Sequence, residues 1–137
     1  MKMSPTKKLC IMTIAGIIAV AACRTGPPEI PEELTSAEFF QRAQEAVDQE
    51  NWDHALAYYV EFLERYPDDL QNVVAAEYEI AFIYYRRGER TIARERLNAL
   101  LARYDEPGSE RLPDWPAVLA ERILEIMDES EAAQTSS

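Results

Sequence analysis

The sequence predicts an all-α fold: two helical hairpins closed by a C-terminal capping helix, about five helices in all. Three observations predict it. Apolar residues recur at three- and four-residue spacing through most of residues 35–130, the mark of amphipathic helices. No window alternates apolar and polar residues between turn signals, so no strand is expected. Two stretches also align at one fixed offset, which pairs Ala43 with Ala81, Ala55 with Ala93 and Tyr66 with Tyr104.

Each element has its own signal. Thr35-Ser36-Ala37-Glu38 is a capping box that opens a helix over about 36–50. Asn51 or Asp53 starts a second over about 52–66, which Pro67 ends. The third covers about 70–87 and stops at Gly88, and the fourth covers about 89–104. Asp114-Trp115-Pro116 announces the fifth, with Asp114 as N-cap and Pro in the first turn, and it runs to about residue 130. The last residues, 131–137, are small and polar and read as a frayed, disordered tail.

Residues 1–34 have a different character. All three lysines lie within the first eight positions, followed by the apolar run LCIMTIAGIIAV and a small-residue exit, the make-up of an export signal over residues 1–22. Leu9 to Ala22 is too short for a membrane span, which needs roughly 17–25 residues. Residues 24–34, RTGPPEIPEEL, hold three prolines and one glycine. At about 3.1 Å per residue they form a semi-rigid tether that holds the domain up to roughly 34 Å from the membrane.

Without residues 1–22 the chain has 11 arginines, no lysine and 25 acids, a formal charge of 11 − 25 = −14. Such a chain repels nucleic-acid backbones and anionic lipid, which excludes a general phosphate-binding role. One histidine, and one cysteine beyond the signal, are too few for most soft-metal and triad chemistries.

Val20-Ala21-Ala22-Cys23 resembles the lipobox of bacterial lipoproteins. The resemblance implies acyl chains on Cys23, and two or three chains anchor stably. Arg24, standing where Asp would signal retention, implies onward sorting to the outer membrane, with the domain facing the periplasm. The helical pairs resemble tetratricopeptide repeats, whose pattern is W-x2-L-G-x2-Y, then A-x3-F, then P. The first repeat supplies Phe39, Arg42, Ala43 and Ala46, then Ala55, Tyr59 and Pro67. The second supplies Glu77, Ile80, Ala81 and Tyr84, then Ala93, Leu97 and Asp105. Arg42 and Glu77 stand at positions that are usually apolar, and Asp105 replaces the closing Pro. The offset from Ala43 to Ala81 also exceeds the family's repeat by about four residues, which fall around Asp68–Gln71.

No catalytic motif stands out. His54 beside Asp53 is half of a possible site at most and reads as a solvated residue at a helix start. The pairs Glu61/Glu64, Glu77/Glu79 and Glu121/Glu125 read as solvated helix faces. No phosphate-loop, dinucleotide, zincin or nucleophile-elbow motif occurs. The expectation is a protein without enzymatic activity, cofactor or bound metal.

The repeat resemblance implies a concave face lined by the first helix of each pair. It places Phe40, Gln44 and Val47 there from the first repeat, and Tyr78, Phe82, Tyr85 and Arg86 from the second. Such rings suit an apolar or aromatic segment of another protein, unless the fifth helix buries them as core. Arg86, Arg87, Arg90, Arg94, Arg96 and Arg103 form a basic island. It is read first as ion pairs to Glu77, Glu79 or the acidic fifth helix, and second as a docking patch.

Lipobox, linker and the segment ALAYYVEFLERYPDD together resemble the N-terminal repeats of BamD-like outer-membrane assembly lipoproteins. That resemblance implies a lipid-anchored periplasmic scaffold that binds other envelope proteins. Alternatives are an accessory lipoprotein of cell-wall synthesis or of a solute transporter, and a lipoprotein that holds an apolar small molecule. Homo-oligomer formation stays open. Two repeats fall below the roughly three that a stable array needs, so the fifth helix or a partner must cover the remaining face.

Overall fold

A computed structural model describes residues 26–136. It contains α1 (Ser36–Asp48), α2 (Trp52–Arg65), α3 (Leu70–Arg86), α4 (Arg90–Ala102) and α5 (Trp115–Thr135), with no strand among the described residues. Two single 3₁₀ turns, Arg103–Asp105 and Ser109–Arg111, carry the chain from α4 to α5. The signal reading of residues 1–22 and the lipidation reading of Cys23 lie outside the described residues.

The local chemistry explains the helix ends. Thr35 Oγ1 accepts from the Glu38 amide at 3.3 Å while Glu38 Oε2 accepts from the Thr35 amide at 2.8 Å, a complete capping box. Asp114 flanks α5 as expected, but its side chain makes no capping bond. The turns that close α1 and α3 repeat the same hydrogen bonds at the offset that relates the alanines. Glu50 donates to Val47 and Asn51 to Ala46; Gly88 donates to Tyr85 and Glu89 to Tyr84. The residue at the bend has positive φ in both, 55° at Glu50 and 78° at Gly88. Glycine adopts that conformation freely and glutamate does not.

Within each pair the helices run antiparallel. Phe39, near the start of α1, meets Phe62 and Tyr66 at the end of α2 with ring centroids 6.2 and 6.0 Å apart. Glu77 of α3 pairs at 2.6 Å with Arg103, just past the end of α4. Ala43, Ala55, Ala81 and Ala93 are all fully buried, as required where two helix backbones come close.

α3 joins two cores. Val73, Ala76, Ile80 and Ile83 pack with α1 and α2, while Val74, Tyr78 and Ala81 pack with α4 and α5. A helix with neighbours on both sides is apolar around most of its circumference, and α3 buries eight residues, more than any other helix.

Two expectations need correction. The stretch from Gly26 onward is not a free tether. Leu34 is buried and Ile30 packs against the first core. Arg65 Nη1 donates to the Pro31 and Glu32 carbonyls at 2.8 and 2.9 Å, and the Tyr66 hydroxyl donates to Leu34 O at 2.5 Å. A proline-rich segment leaves its carbonyls unpaired, and the end of α2 supplies the donors. The reach of an extended tether therefore does not apply to residues 26–34.

The second correction concerns the tail, where residues 131–135 are helical as part of α5. Glu131 is held by Arg94 at 3.0 Å, which carries the helix past Ser130 into a pair of alanines. Thr135 Oγ1 then donates to the Glu131 carbonyl at 2.8 Å.

Candidate functional site

A row of rings crosses from α5 to α2. Trp115 stands edge-on to Tyr78 at 5.5 Å, Tyr78 stacks with Phe82 at 6.0 Å, and Phe82 leans on Tyr85 at 6.3 Å. The Arg86 guanidinium then bridges Phe82 and Trp52, 5.8 and 5.7 Å from their centroids. Tyr78, Phe82, Tyr85 and Arg86 come together because Phe82 follows Tyr78 by four residues, and Tyr85 and Arg86 follow Phe82 by three and four.

The row is not uniformly available. Tyr78 is 7% exposed and belongs to the second core, so the expectation that it contacts a partner is corrected. Trp115 covers it, and burial pushes its hydroxyl pKa up to about 12. Phe82 and Tyr85 are half-buried, and Arg86 is exposed.

The residues expected from the first repeat serve mainly as joints. Phe40 is half-buried and meets Tyr59 and Phe62 edge-on at 5.4 and 5.1 Å. Gln44 donates through Nε2 to the Tyr59 hydroxyl at 2.5 Å, tying α1 to α2. Burial pushes the Glu79 carboxyl above its usual range, and a hydrogen bond from Gln44 partly offsets that.

Sequence reading missed the exposed side of α5. The helix buries Pro116, Ala120, Ile123 and Met127, as a capping helix should. Yet Trp115, Val118, Leu119 and Ile126 remain 43%, 59%, 41% and 36% exposed. Trp115, Leu119, Arg122 and Ile126 fall on one helical row. The signal was present: apolar residues fill two faces of α5, and one capped core needs only one.

The basic island is largely occupied within the domain. Arg103 pairs with Glu77, Arg94 with Asp128 and Glu131, and Arg87 with Asp53 and Glu89. Arg90 donates to Ser130, and Arg96 lies over Tyr84 at 5.2 Å. Asp53 thus faces Arg87 rather than His54, whose Nε2 lies 3.1 Å from the Gly26 carbonyl. Glu61 pairs with Arg65 and Glu125 with Arg122.

Among the described residues no group of three or more His, Cys, Asp or Glu could hold a metal ion. No helix there is long and apolar enough to cross a membrane.

No family model matches the chain, and no solved structure matches it. It is similar to an uncharacterized protein of Treponema pallidum (strain Nichols), 36% identical over 102 residues, an alignment that takes in 73% of this chain. The chain spans 41% of that relative's length.

Proposed function

We propose that this chain is a non-enzymatic, lipid-anchored scaffold of the bacterial cell envelope. In this reading acyl chains on Cys23 hold it at the membrane, and the helical domain binds another envelope protein. The observation that carries it is the ring row of Phe82, Tyr85, Arg86 and Trp115 with the exposed apolar row of α5. Partly exposed aromatic side chains beside an arginine are among the residue types that dominate binding energy at protein interfaces, and the aliphatic row adds apolar area around them. The lipobox-like Val20-Ala21-Ala22-Cys23 supports the anchor, and the resemblance to outer-membrane assembly lipoproteins supports the periplasmic setting.

A photo-crosslinking amino acid at Phe82 or Leu119, in cells, tests the binding role. One discrete crosslinked envelope protein is expected, and the crosslink from position 82 disappears with Leu119→Glu. Crosslinks no more specific than those from an exposed position on α1, such as Gln41, would remove the scaffold reading. Detergent partitioning of Cys23→Ser tests the anchor: release from the membrane phase is expected, and retention by acyl chains would overturn it.

A further inference from the structure

The outer side of α5 carries two parallel rows. One is apolar: Trp115, Leu119 and Ile126, interrupted by Arg122, with Val118 alongside. The other is acidic: Glu121, Glu125 and Glu129, at successive helical turns and all exposed. α5 has five acids, Glu121, Glu125, Asp128, Glu129 and Glu131, against Arg122 alone, a net charge of 1 − 5 = −4. Arg94 satisfies Asp128 and Glu131, and Arg122 satisfies Glu125. Glu121 and Glu129 form no ion pair among the described residues.

We propose that α5 receives an amphipathic helix of the partner, apolar along one stripe and bearing Lys or Arg at four-residue spacing on the adjoining edge. This rests on the scaffold reading and specifies the partner's chemistry. An apolar row beside an acidic row is complementary to an apolar stripe beside a basic row, and like-charged rows in the same arrangement repel. A second copy of this chain fits poorly, because pairing would bring together two faces that each carry Glu121 and Glu129 without an ion pair among the described residues. Anionic lipid is disfavoured for the same reason. The apolar row covers residues 115–126, roughly 17 Å at about 1.5 Å per residue, so three turns of helix fill it.

The test uses the full chain in a mild neutral detergent and two fluorescently labelled helical peptides of about five turns. Both have one leucine stripe; one is flanked by lysine and the other by glutamate. The lysine peptide is expected to bind and the glutamate peptide is not. Leu119→Glu with Ile126→Glu should weaken binding by about tenfold or more, as for loss of interface anchors. Should that variant misfold, Val118→Ser at the most exposed apolar position gives the same readout. Glu121→Lys, Glu125→Lys and Glu129→Lys together should weaken the lysine peptide about tenfold and confer binding of the glutamate peptide. Reversing Glu45, Glu64 and Glu110, exposed acids outside α5, should leave binding within about twofold.

Equal loss in that control would mean attraction to net charge alone, which overturns the proposal. Loss with the apolar variant but no switch with the α5 charge variant would overturn the basic helix and spare the scaffold reading. Binding that survives the apolar variant would overturn both. Sedimentation showing a dimer broken by Leu119→Glu would give the face to a second copy and overturn the proposal as well.

Discussion

Trp115 at the start of α5 stands edge-on over the Tyr78 ring of α3, with centroids 5.5 Å apart and planes at 80°. The contact divides the row of rings into two kinds. Tyr78, beneath, loses its solvent and becomes core, while Trp115, above, keeps 43% of its surface exposed. A capping helix thus closes one aromatic site and offers another.

That division predicts different outcomes for neighbouring substitutions. Tyr78→Ala empties a core position and should cost about 3–5 kcal/mol. Phe82→Ala removes a half-buried ring and should cost about 1–2 kcal/mol. Thermal melting of both variants checks this, and equal losses would contradict the burial difference.

Ala93 is fully buried on α4, as is Ala81 on α3. Ala93→Glu inserts volume and an unpaired charge where two backbones approach, so a loss of about 3 kcal/mol or more is expected. An unchanged melting midpoint would mean that α3 and α4 do not meet at these positions.

The two matching turns offer a paired experiment. Glu50 has a φ of 55° that a side chain disfavours, whereas Gly88 occupies the equivalent place without that cost. Glu50→Gly should raise stability by up to about 1 kcal/mol, and Gly88→Ala should lower it by about 1 kcal/mol. No atom lies within 4 Å of a methyl built on Gly88, so its loss would come from the backbone alone. Denaturant midpoints of the two variants check the opposite signs.

Glu79 gives a pH dependence of definite sign. Its folded pKa is raised, chiefly by burial. A raised carboxyl contributes stability that is present below its unfolded pKa and lost as pH rises through the folded value. Glu79→Gln should therefore melt above the parent near neutral pH, and the two should converge below about pH 4. Glu38 and Asp69 act oppositely, because the hydrogen bonds from Thr35 to Glu38 and from Asn72 to Asp69 hold their pKa values down. Their contribution is lost on acidification.

Much of the fold could be read from sequence because its signals are local. Thr35 and Glu38 announced α1, Gly88 ended α3, and the buried alanines recur at a single offset. Partners distant in sequence escaped that reading. Residues 26–34 looked like a tether because nothing in RTGPPEIPEEL shows that Arg65 and Tyr66 will donate to its carbonyls. The end of α5 looked frayed because Arg94, which holds Glu131, stands on a different helix. For the candidate site, the repeat resemblance placed Tyr78, Phe82, Tyr85 and Arg86 on one face. Which of them stay exposed depended on where Trp115 lands, and that is a tertiary fact.

If the chain is a scaffold, half-buried Phe82 with exposed Trp115, Leu119 and Ile126 forms its binding surface. The direct measurement combines folding and partner capture on one variant, Phe82→Ala with Leu119→Glu, in the cell that makes the protein. The expected result is a helical, cooperatively melting domain that has lost the protein crosslinked at position 82 or 119 in the parent chain. A folded variant that still captures the same protein would contradict it.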